Sequence, residues 1–189
     1  ARLLTQLGHE TTAADVTRLG VASPSRPARK AAMTHEPSSD VDLGSAVDAT
    51  MMLADHAQVA DAKLNLIGGG WTTIGPDPMP FALAGWVHVP WARANEQLEV
   101  VIDLVDADGQ PVTVEVLGAG LQPLSLAFVV EVGRPPGAAP GTVQDVPFAF
   151  NMPPVPLPSG GTYEWRLAVG GRLVVRRSFT VRHRQHTGG

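Results

Sequence analysis

From Ala49 onward apolar residues recur at every second position rather than with the period of about 3.6 of a helix, the mark of strands with one buried face. Leu98, Val100, Ile102 and Leu104 alternate with Glu99 and Asp103, and the run stops at Asp106-Ala107-Asp108-Gly109, a turn composition. Val112, Val114 and Val116 then alternate with Thr113 and Glu115, which predicts a hairpin over 98–116. Tyr163, Trp165, Leu167 and Val169 alternate with Glu164 and Arg166, and Gly170-Gly171 supplies the positive φ angles of a two-residue turn into a returning strand, Leu173 to Val181.

The same reading gives strands at Met51–Ala57, Lys63–Ile67, Trp71–Ile74, Phe81–Val89, Leu126–Val132 and Val146–Asn151. Gly68-Gly69-Gly70, 75–80, 133–141 and 153–161 separate them, and prolines this frequent exclude long helices. A single helical turn is expected at Pro90 to Asn95, with Pro90 in its first position. About ten short, regularly spaced strands predict an all-β, two-sheet antiparallel sandwich, immunoglobulin-like in the loose sense, without the Cys-Trp-Cys mark of true immunoglobulin domains.

Composition limits the rest of the chain. Its 189 residues, 44% hydrophobic and 17% charged, suit one globular domain with a tail. Residues 1–48 are expected to form a disordered or weakly helical tail, because Thr12 and Asp15 offer a helix start but Ser23 to Lys30 and the polar run after Met33 offer little to bury. Met33 is a candidate translation start, which would make 1–32 an extension. The domain is expected over 49–182, with 183–189 a flexible tail. No stretch approaches the roughly 20 apolar residues that span a bilayer, and the default expectation is a cytoplasmic protein with no membrane association.

There is no cysteine, which excludes disulfides and thiolate chemistry. Net charge is −4, divided between +3 for residues 1–32 and −7 for the remainder. An acidic domain is a poor partner for nucleic acid, which is held by clustered Lys and Arg. Arg166, Arg172, Arg176, Arg177, Arg182 and Arg184 are the exception, and at a sheet edge such charges guard against strand-to-strand aggregation.

Among candidate metal ligands, an EF-hand-like alignment places Asp106, Asp108 and Glu115 around Gly109, with Asp103 nearby, but it sets Leu104 at the first ligand position and strands at both flanks. Asp55-His56 and His88 carry acid–base chemistry, yet Asp55 and His56 are neighbours on a strand and point to opposite faces. Gly-x-Ser-x-Gly does not occur, and Gly68-Gly69-Gly70 leads into β-prone residues rather than the helix a phosphate loop requires. His183 and His186 lie in the terminal tail. Trp71, Trp86, Trp91, Arg176 and Arg177 are the candidate partner-binding residues, each competing with a packing or edge-protecting role. No cofactor is expected.

The segment Ala54-Asp55-His56-Ala57-Gln58-Val59-Ala60-Asp61-Ala62-Lys63-Leu64-Asn65-Leu66-Ile67-Gly68-Gly69-Gly70-Trp71 resembles the opening of an uncharacterised bacterial family of single β-sandwich domains common in actinobacteria. Phe81 to Trp91 and Leu104 to Gly109 resemble it too, so the likeness covers about residues 49–181. Ala62 stands where that family has a turn glycine. The resemblance implies the fold and no activity. It leaves two readings: a non-enzymatic binding or scaffold module for a protein partner or another copy of the chain, or a calcium-binding domain or hydrolase with carboxylates at one end of the sandwich. The first is favoured, because no reactive constellation stands out.

Overall fold

The structure is a computed structural model that describes residues 46–116 and 120–184. The expectations for the first 45 residues, for His186 and for the last five positions lie outside the described residues. The strands are β1 (Asp48–Ala54), β2 (His56–Ala60), β3 (Lys63–Ile67), β4 (Thr73–Ile74), β5 (Phe81–Val89), β6 (Leu98–Asp106), β7 (Thr113–Val116), β8 (Gly120–Pro123), β9 (Ser125–Val130), β10 (Gln144–Met152), β11 (Thr162–Val169) and β12 (Arg172–Val181). One sheet has the order β1-β5-β10 and the other β4-β12-β11-β6-β9, while β2-β3 and β7-β8 are separate hairpins. All pairs are antiparallel except β4 with β12. The chain crosses between sheets after β1, β4, β5, β9 and β10, and β5 with β10 face β6, β11 and β12, the arrangement of an immunoglobulin-like sandwich.

Alternation decides what each strand buries. In β5, Phe81, Leu83, Val87 and Val89 enter the core between the sheets, where they meet Val100, Ile102 and Leu104 of β6 and Trp165 and Leu167 of β11. Trp165 is fully buried, and its indole N–H meets no acceptor among the described residues, a cost of about 1–3 kcal/mol that its packed area offsets. Tyr163, near the start of β11, donates from its hydroxyl to the Pro158 carbonyl at 3.4 Å, tying the strand to the turn before it like the tyrosine corner of immunoglobulin domains.

The other face of β5 carries Ala82 and Ala84. These small side chains, with Ala54 and Ala57, form a second core that lets the β2–β3 hairpin fold back over the three-stranded sheet, with Leu64, Leu66 and Ala149 around it. Asn151 clamps the hairpin in place, accepting from Ala57 N at 3.2 Å and donating to Ala57 O at 2.9 Å. The chain bends at Asp55, so the expected single strand Met51–Ala57 is divided between β1 and β2.

The expected 98–116 hairpin closes only at its tip. Asp106 N bonds Gln110 O, Val105 bridges Pro111, and Val112 N reaches Leu104 O; beyond that β7 pairs with β8, and the edge of β6 belongs to β9. Leu104 N instead bonds Leu124 O, and Leu124 N bonds Val112 O, so the chain before β9 wedges into the opening. The helical turn after Pro90 is a single 3-10 turn, Trp91–Arg93. Gly170 and Gly171 adopt φ 55° and 78°, as the turn requires.

Candidate functional site: a polar row beside Trp86

The outward face of the three-stranded sheet carries a hydrogen-bonded polar row that spans all three strands. Register aligns His88 of β5 with Asp48 of β1 and Asp145 of β10, and Trp86 with Thr50 and Pro147. His88 Nδ1 lies 2.7 Å from Asp145 Oδ1, and Thr50 Oγ1 lies 3.0 Å from His88 Nε2. Because the carboxylate only accepts, Nδ1–H donates to it; in the neutral imidazole Nε2 then accepts from the Thr50 hydroxyl. The side chains of His88 and Asp145 are 27% and 61% exposed, so the row is open to solvent. Beside it Trp86 is half-buried between Thr50 and Pro147, with half-buried Met52 one pair further along β1.

Hydroxyl, imidazole and carboxylate in sequence match the connectivity of a nucleophile, its base and the group that orients the base. The sheet denies them the remaining part. Backbone N–H groups of β1, β5 and β10 lie in the plane of the sheet within or beside its ladders, so none projects above the sheet toward an oxyanion over Thr50. What the face offers is an aromatic and thioether surface, Trp86 and Met52, bordered by oriented hydrogen-bonding groups.

The other sequence-predicted residues disperse. Trp71 is half-buried and packs edge-on against Phe81 and Phe179, with ring centroids 6.0 and 6.2 Å away. Trp91 lies under the Arg134 guanidinium at 5.2 Å. Arg177 Nε donates to Met51 O at 3.1 Å, whereas Arg176, 57% exposed, stands 4.0 Å from Glu164. Asp106 Oδ1 accepts from Asp108 N and Gln110 N at 3.0 and 2.8 Å, an Asx turn around Gly109 at φ 76°. Asp103 is half-buried, its register neighbours being Arg166 and Ser125, and Glu115 is exposed on β7. Asp103, Asp106, Asp108 and Glu115 do not converge, and among the described residues no three His, Asp or Glu side chains gather as metal ligands. Asp55, His56 and Asp61 are exposed around the β2–β3 hairpin. Thr50 and Asp145 escape sequence reasoning because they stand 38 and 57 positions from His88. Only strand pairing unites them.

Among the described residues no helix is long and apolar enough to cross a membrane. No curated protein matches the chain. A crystal structure of an immunoglobulin-like protein from Pseudomonas aeruginosa is similar at 16% identity, with 74% of this chain and 99% of that chain covered and a TM-score of 0.33. A family profile matches residues 49–182, nearly the span on which the sequence resemblance rested, and the chain thus belongs to a family of unknown function, DUF6941.

Proposed function

We propose that the domain is a non-enzymatic binding module for a protein partner, with the outward face of the three-stranded sheet as its contact surface. The observation that carries this reading is the half-buried Trp86, set between Thr50, Met52 and Pro147 next to the hydrogen-bonded Thr50–His88–Asp145 row. A half-buried tryptophan on an outer sheet face, beside the part that the β2–β3 hairpin covers, is the residue type that dominates binding energy at protein interfaces. The row beside it gives direction to an otherwise flat contact.

Affinity capture from the native host, comparing the wild-type chain with Trp86→Ala and His88→Ala, tests the proposal. A protein retained by wild type and lost at least tenfold by Trp86→Ala, at unchanged circular dichroism, supports it. Equal capture by all three chains refutes the assignment of this face. Ester hydrolysis by the wild type that disappears in Thr50→Val would replace the binding reading with an enzymatic one.

A further inference from the structure

Four strands of the sandwich lie at sheet edges, and three carry devices that block further pairing. β4 is two residues long. Along β1 the outward carbonyls of Val47 and Met51 accept from Arg172 Nη2 and Arg177 Nε. β10 contains Pro147, which cannot donate, and its Asn151 side chain is committed to Ala57 of the folded-back hairpin. β9 has none of these. From Leu124 to Val130 it has neither charge nor proline, and among the described residues it pairs only with β6.

The direction of its backbone groups follows from two bonds. Leu124 O accepts from Leu104 N at 3.0 Å and Val132 O from Asn95 N at 2.7 Å, so even-numbered residues face β6. By alternation Ser125, Ala127 and Val129 direct their N–H and C=O groups away from the sheet. We infer that this edge pairs antiparallel with β9 of a second copy of the chain, about a two-fold axis at Ala127.

That register is the one in which the outward residues meet each other. Ala127 faces its own symmetry mate and Ser125 faces Val129, giving about six hydrogen bonds. On the inner face Leu126 meets Phe128 twice, a favourable cross-strand pairing. Both are peripheral core residues, 9% and 8% exposed, and Phe128 already belongs to an aromatic cluster with Phe148 and Phe150 at 5.6 and 5.3 Å that the second copy would extend. Pro123 falls opposite Glu131 and ends the ladder at each side. No like charges oppose one another, and Val129, 43% exposed, gains a neighbour. An uncharged strand whose two-fold pairing matches apolar residue to apolar residue on its inner face suits its own copy better than a partner of different sequence. The Trp86 face is on the other sheet, so this association stands whether or not that face binds a protein.

Sedimentation velocity of the full chain across micromolar to millimolar concentration tests the inference. The wild type reaches twice its chain mass of 19.8 kDa. Ala127→Lys and Ala127→Glu, which set like charges face to face across the axis, each remain at the single mass, and their equimolar mixture recovers the doubled mass. Ala127→Pro, which removes only the outward N–H, also remains at the single mass, and it serves if either charged variant fails to fold. A wild type that stays monomeric throughout, a charged variant that still dimerises, or two folded charged variants whose mixture does not pair overturns the proposal.

Discussion

The turn between β2 and β3 is occupied by Asp61 and Ala62 at φ 50° and 54°, both left-handed, as in the two-residue hairpin turn that glycine normally fills. Aspartate tolerates this region because its short polar side chain bonds locally; alanine has no such relief, and holding an L-residue there costs about 1–2 kcal/mol. Replacing Ala62 with glycine removes that cost but gives the unfolded chain about 0.4–1 kcal/mol of extra conformational freedom. The net gain is about 0.5–1 kcal/mol. It registers in global stability only if the hairpin unfolds with the sandwich, and several contacts make it do so. Asp55 N bonds Ile67 O at 3.0 Å, Gly70 N bonds Leu53 O at 2.7 Å, Asn151 holds Ala57, and Leu64 and Leu66 rest on the alanine core. For a domain of this size Ala62→Gly is then expected to raise the Tm by about 2–4 °C. In urea the midpoint should rise with the m-value unchanged. A lowered Tm would show that the turn is not strained. Increased hydrogen-exchange protection of residues 56–67 without a change in Tm would refute the cooperative attachment of the hairpin.

Two further perturbations probe other parts of the frame. A Cβ at Gly85 would overlap the Thr50 carbonyl oxygen and stand 2.8 Å from its carbon and 3.0 Å from Met51 Cα, all rigid backbone of β1, so Gly85→Ala is expected to lower stability by about 3 kcal/mol or more, and a loss below 1 kcal/mol in chemical denaturation would contradict the packing of β1 on β5. Tyr163 is the sole tyrosine, and burial, followed by the negative charge of Asp106, raises its pKa above 10.0. Its tyrosinate absorbance should therefore appear at higher pH in the folded protein than in urea, and because the folded state holds the proton more tightly, its stabilising contribution is complete below pH 10 and is lost as pH rises through the folded pKa; identical midpoints in the two states would refute this.

Individual strands were legible from the sequence: Lys63–Ile67, whose burial alternates, and Phe81–Val89, whose first five residues are buried on both faces, have the expected bounds, and Gly170-Gly171 turns as its composition requires. What local pattern could not contain was partnership. β6 and β7 read as a hairpin because they are adjacent and both alternate, but past Val112 the ladder parts, since Leu104 N bonds Leu124 O, and β8, a strand of Gly120, Leu121, Gln122 and Pro123 with no alternation to signal it, takes β7 instead. β2 was absorbed into β1 because no glycine or proline marks the bend at Asp55, where the chain leaves the three-stranded sheet.

The same physics explains why the candidate residues named for their chemistry were dispersed while the residues that meet were not named together. Acidic side chains cluster in sequence at Asp103 to Asp108 because turns favour Asp, and there Asp106 spends its carboxylate on the backbone amides of Asp108 and Gln110. Thr50, His88 and Asp145 occupy ordinary outward positions on three strands, each unremarkable in its own alternation, and become one row only because β1 and β10 flank β5 in a particular register. A slip of one residue in either strand would turn its member of the row toward the core, where Met51 and Val146 now lie. The row is therefore a property of the register, and the register is held by features with no polar chemistry of their own: the close approach of Thr50 to Gly85, and Leu53 and Phe148 filling the opposite face.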